Sequence, residues 1–162
     1  MNLHILWLVP AAYAVHILEE APRFVTWTKK YPWLFTSRFT TPLFILGNAA
    51  FMAYVLVSVF LATNYPGQWT LTLGLSTASW IFANFTLHAV MTLITGVYAP
   101  GLVTAGAVYV PVSLYIYSSF WQAGMLTPSV VVCSVLIGFA AMYLPQLNAV
   151  RVARLDRKKS SE

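Results

Sequence analysis

Between Phe39 and Val150 the chain contains no Asp, Glu, Lys or Arg. A run of that length without a formal charge is long enough for several membrane crossings at about 20 residues each. The rest of the composition agrees, since 59% of residues are hydrophobic and 8% are charged, against roughly 25% charged in soluble domains. Backbone groups in lipid must be satisfied within the protein, so each crossing reads as an α-helix. The fold class is an all-α polytopic membrane bundle.

Hydropathy divides the chain into five spans, about Leu3 to Leu18, Thr41 to Thr63, Trp69 to Val97, Val103 to Phe120 and Thr127 to Leu147. The breaks are chemical. "NYPGQW" (Asn64 to Trp69) and "YAPG" (Tyr98 to Gly101) put Pro-Gly between apolar runs, and "GMLTPS" punctuates the approach to the last span. The basic residues flank the uncharged run, with Lys29, Lys30 and Arg38 in the first connection and Arg151, Arg154, Arg157, Lys158 and Lys159 in the tail. Five spans with the N-terminus outside bring both basic segments to the cytoplasmic face; four or six would separate them. The expected organisation is one five-helix domain over residues 1–150 and a basic cytoplasmic tail over 151–162.

The net charge of +5 therefore reads as the positive-inside pattern, not as a nucleic-acid surface. The first connection interleaves Trp27, Trp33, Phe35 and Phe39 with cations, which suits the headgroup level. The lone Cys133 reads as packing. No basic segment precedes Leu3 and no cleavage signal precedes the glutamates, so the first apolar stretch is expected to stay as a span. If the source is bacterial, the location is the cytoplasmic (inner) membrane.

Ionisable groups inside a bilayer are costly and usually mark a site. Glu19, Glu20, Asp156 and Glu162 are the only acidic residues, and half of them stand together in "VHILEEAPR". On a helix His16 shares a face with residues three and four positions on, so it can align with Glu19 and Glu20. Imidazole with carboxylate suits zinc or non-haem iron, and equally a metal-free proton transfer. The bland alternative has the glutamates ending the span beside Arg23. His88 lies deep in the third span, one turn after Asn84; the bland alternative is a hydrogen-bonded structural histidine. Depth permits a meeting: His16 to Glu20 lie ~20 to 27 Å from the outer end of the first span, and His88 ~28 Å from Trp69. A shared metal centre requires His88 within about 10 Å of the carboxylates, because metal-ligand bonds are only ~2.0 to 2.3 Å. Asn48 reads as an interhelical hydrogen-bonding amide and, with Asn84, as a supporting group. Tyr98 reads as a belt residue or as a phenol over the site, and His4 as facing external water.

"HILEE" (His16 to Glu20), a later histidine (His88) and "YAPG" (Tyr98 to Gly101), in that order in a small membrane protein, resemble the HXXEE-motif family. The resemblance covers nearly the whole chain and implies a shared site of His16, Glu19, Glu20, His88 and the Tyr98 to Gly101 turn. It implies no reaction, the family's function being unknown. A looser similarity to CAAX-type intramembrane proteases fails on spacing, since Glu19, Glu20 and Arg23 stand too close, "FTLH" is short by one residue, and a third histidine motif is missing.

Three functions compete. The first is a membrane-embedded metalloenzyme, a hydrolase or oxidoreductase acting on a lipid or other apolar substrate. His16, Glu19, Glu20 and His88 would be its metal ligands, and Glu19, Glu20, His88 and Tyr98 its catalytic groups. Zinc is favoured over iron, because a two-iron bundle site normally takes more carboxylates than this chain carries in its spans. The second is a metal-free acid and base isomerase of a sterol or isoprenoid-like lipid. The third is a small-molecule or metal carrier or assembly protein. Membrane lipids are expected partners, nucleic acid is not, and a homo-oligomer would allow subunits to share a site.

Overall fold

The computed structural model describes residues 2–36 and 39–160. Arg38 and the side chains of Arg157 and Lys159, three of the cations in the basic segments, lie outside the described residues. Among the described residues the fold is all-helical, with no strand. After a 3-10 turn at Leu3–Trp7, α1 spans Leu8–Glu20 and α2 Phe24–Thr28. Next come α3 (Thr41–Asn64), α4 (Gln68–Thr95), α5 (Leu102–Gln122) and α6 (Pro128–Ser160).

Four of these, α3 to α6, are long and apolar enough to cross a membrane. The protein is therefore a membrane protein. The expected first span is built differently, as the 3-10 turn leading into the 13-residue α1. The breaks fall at the Pro-Gly signals: Gly67 caps the start of α4, Gly101 that of α5, and Pro128 opens α6.

The bundle is organised around α4, which packs against α3, α5 and α6. Lipid provides no hydrophobic drive for helix association, so close approach and interhelical hydrogen bonds must supply it. Both are present along α4. Its buried face carries Gly74, Ser76, Thr77, Ala78 and Ser79, and a methyl group at Gly138 of α6 would come within 2.5 Å of the Ser76 carbonyl oxygen. Hydroxyls staple the neighbours, with Tyr54 to Ser76 at 2.6 Å, Tyr117 to Ser79 at 2.5 Å, and Thr86 to Tyr143 at 2.7 Å.

One detail departs from the sequence reading. Trp27 and Phe35 are buried with Phe24, Phe44 and Met91 in a second apolar cluster under the first connection, leaving Trp33 exposed. A short helix folding back on the bundle has covered rings that an extended interfacial segment would leave among headgroups. The tail, moreover, is a continuation of α6. That 33-residue helix is about 50 Å long, exceeding a hydrocarbon core of about 30 Å, so its cationic end projects, with Arg151, Arg154 and Lys158 exposed.

Candidate metal centre

Adjacent residues on an α-helix point about 100° apart, and this separates the two glutamates. Glu20 shares a face with His16 and turns inward; Glu19 turns toward the start of α5. Pro22 lacks an amide hydrogen and follows directly where α1 ends.

Facing inward, Glu20 meets both imidazoles. One carboxylate oxygen, Oε2, lies 3.7 Å from His16 Nε2 and the other, Oε1, lies 3.6 Å from His88 Nε2. His16, Glu20 and His88 are 0%, 7% and 2% exposed, so the cluster is closed to bulk water. The two imidazole rings stand edge to face at 5.1 Å. One ligand atom from each residue falls within 4.8 Å of the others, and the three could hold a metal ion. Ligands bound at about 2.1 Å in a tetrahedron sit about 3.4 Å apart, close to the two histidine-to-carboxylate distances. Among the described residues His16 Nε2 is buried with no hydrogen-bond partner, which leaves it able to act as a ligand.

The Tyr98 to Gly101 turn closes over this cluster. Gly101 has φ of +100°, and a methyl group there would come within 2.6 Å of His16 Cε1 and 2.8 Å of His88 Cε1. Both the backbone angle and the approach of two rings require glycine. Beyond it, the first turn of α5, Leu102–Thr104, runs into a π-helical segment at Ala105–Tyr109, and Tyr109 lies against His16 at 4.7 Å between ring centres. Phe24 covers His88 from the first connection at 5.9 Å.

Glu19, expected among the ligands, is instead engaged by this turn. Its carboxylate accepts from the Tyr98 hydroxyl, from the amides of Gly101 (3.2 Å) and Thr104 (2.7 Å), and from the Thr104 hydroxyl (2.5 Å). It thus satisfies amides at the start of α5 that no preceding turn can reach. Partial burial, and the Glu19 carboxylate beside it, hold the Tyr98 phenol above its ordinary range, so it remains a donor. Thr104 is the residue that the sequence reading missed. Its hydroxyl lies 3.0 Å from His16 Nδ1, joining His16 to Glu19. With the Nδ1 proton donated to Thr104 and the Thr104 proton to Glu19, the lone pair of His16 is left on Nε2, facing Glu20.

The amides sit beside the cluster. Tyr13 donates to Asn48 Oδ1 at 2.7 Å. Asn84 makes only a long contact to the Met142 sulfur at 3.9 Å. Both line a cavity of about 100 Å³ that also reaches Glu20 and His88. His4 is exposed at the far end of the first segment.

Residues 7–116 match the family described as a protein of unknown function with HXXEE motif. The chain belongs to the HXXEE-motif family. The match holds all three residues of the cluster, the turn above them and Thr104, and it ends within α5. Searches of curated proteins and of solved structures returned no match.

Proposed function

We propose that this HXXEE-motif protein is an intramembrane metal-dependent enzyme acting on a lipid or other apolar substrate. The observation that carries the proposal is the buried convergence of His16 Nε2, Glu20 and His88 Nε2 at metal-ligand spacing. A set of two imidazoles and one carboxylate matches three-ligand zinc sites that keep a fourth position for water or substrate and equally the mononuclear non-haem iron triad; zinc is favoured over iron because a two-iron bundle site takes more carboxylates than the spans carry. A bound divalent ion would polarise a substrate oxygen or activate water. His16, Glu20 and His88 are then the ligands, and Tyr98 a hydroxyl at the rim. Glu19 acts through Thr104 by orienting His16.

The topology proposed with it has five crossings, the 3-10 turn and α1 forming the first. The N-terminus lies outside, the basic tail in the cytoplasm, and the cluster toward the cytoplasmic side of the inner membrane if the source is bacterial. Residues 1–150 form the one domain and 151–162 the tail.

Glu20 offers a different oxygen to each imidazole, which also favours a second reading, a metal-free proton shuttle for lipid isomerisation. Incubating the purified protein with extracted membrane lipids, with and without chelator, decides between them by mass spectrometry of the products. The proposal expects a lipid conversion abolished by chelator, restored by metal and absent in Glu20→Ala. Chelator-resistant conversion supports the isomerase, and metal binding without conversion supports a carrier.

A further inference from the structure

Helices α3 and α6 both pack on α4 but scarcely touch each other. The gap between them is the groove that leads to Glu20 and His88, and its outer wall includes Leu43, which is 45% exposed, and Gly47. Such a gap in a spanning bundle opens sideways into the bilayer. The floor is a stripe of α4 residues at intervals of four, Trp80, Asn84 and His88, which share one face of the helix.

All three residues of this floor carry a buried polar atom with no hydrogen-bond partner among the described residues, His88 at Nδ1. Trp80 is 1% exposed and Asn84 9% exposed, yet the indole N–H of Trp80 and the side-chain oxygen of Asn84 have no hydrogen-bond partner. Buried polar atoms are nearly always paired, and leaving one unpaired costs about 1 to 3 kcal/mol. Trp80 offers a donor and Asn84 an acceptor, on residues about 6 Å apart along the helix. A hydroxyl group seated between them would accept from the first and donate to the second. A carbonyl or ether oxygen can satisfy only Trp80. The groove's described lining carries no cation, so an anionic headgroup would find no counter-charge there.

We infer that the groove between α3 and α6 is a lateral binding site for a membrane alcohol, a long apolar molecule anchored by its hydroxyl between Trp80 and Asn84 with its reacting part toward Glu20 and His88. The inference rests on the reading of His16, Glu20 and His88 as the reaction centre, and it names the substrate class that centre receives. The apolar lining from Phe44, Phe51 and Met142 holds the chain.

The test uses two photoreactive probes in phosphatidylcholine nanodiscs, a C16 alcohol bearing a diazirine and the matching hydrocarbon without the hydroxyl. Cross-linked residues are mapped by mass spectrometry, and metal content is measured on the same samples. A side chain at Gly47 meets nothing within 4 Å of its Cβ, so Gly47→Phe should fold and fill the mouth. Labelling by the alcohol is expected around Gly47, Asn84 and Met142 and should fall about 10-fold in Gly47→Phe. In Asn84→Leu, losing the hydroxyl's acceptor should cut alcohol labelling about 10-fold while leaving hydrocarbon labelling unchanged. Equal labelling by both probes, or alcohol labelling indifferent to Gly47→Phe, overturns the inference. If folded protein, purified without chelator, labels selectively yet carries no metal, the groove stands and the metal reading falls; if metal-replete protein labels unselectively, the groove falls alone.

Discussion

Thr104 is the residue on which the cluster's chemistry turns, although it holds no ligand position. Its hydroxyl joins His16 Nδ1 to the Glu19 carboxylate, and such outer partners fix the tautomer and orientation of a ligating histidine. Thr104→Val should therefore weaken metal affinity by about 10- to 100-fold, with Thr104→Ser close to wild type. Competition with a fluorescent chelator measures it, and equal affinities for the Val and Ser variants would remove Thr104 from the site. His16, Glu20 and His88 were legible in the sequence because ionisable groups are rare in membrane spans. Thr104 was not, because a threonine in an apolar helix ordinarily bonds to its own backbone. The available signal was indirect: α5 had to start just after Gly101, its first amides needed an acceptor, and the acidic residues were few.

Two adjacent glutamates at the end of one short helix do opposite work for the elements they touch. Glu19 ties α1 to the start of α5 through hydrogen bonds to a charged acceptor, each contributing about 1.5 to 3 kcal/mol. Glu20 is a carboxylate buried against two imidazoles, a placement that favours function over stability. Glu19→Gln is expected to lower the unfolding midpoint of the metal-free protein. Glu20→Gln should leave it unchanged or raise it while abolishing metal binding. Thermal unfolding in detergent tests both, and destabilisation by Glu20→Gln with none from Glu19→Gln would reverse the assignment. The spacing of the pentapeptide allowed His16 to align with either carboxylate. Only the seat of α5 decides which one faces inward, and that depends on long-range packing of the Gly101 turn.

At the scale of the whole molecule the helices and their breaks were readable, because a missing charge and a Pro-Gly pair act locally. Two features were not. The 3-10 start of the first segment packs on α3 and α4, and the burial of Trp27 and Phe35 depends on the first connection folding back on α3, both contacts between residues distant in the chain. The five crossings proposed would put Asn2 and Lys158 on opposite sides. In a Cys133→Ser background, Asn2→Cys should react with an impermeant maleimide from outside and Lys158→Cys only after permeabilisation. Labelling of both from the same side would contradict the five-span topology.

That His16, Glu20 and His88 form one metal centre is open to elemental analysis by inductively coupled plasma mass spectrometry, on untagged protein purified in mild detergent without added metal, alongside His16→Ala, Glu20→Ala and His88→Ala. About one zinc or iron per chain is expected in the native protein, lost in all three variants while Cys133→Ser keeps it. Folded native protein without metal, or metal retained by any of the three variants, would contradict it.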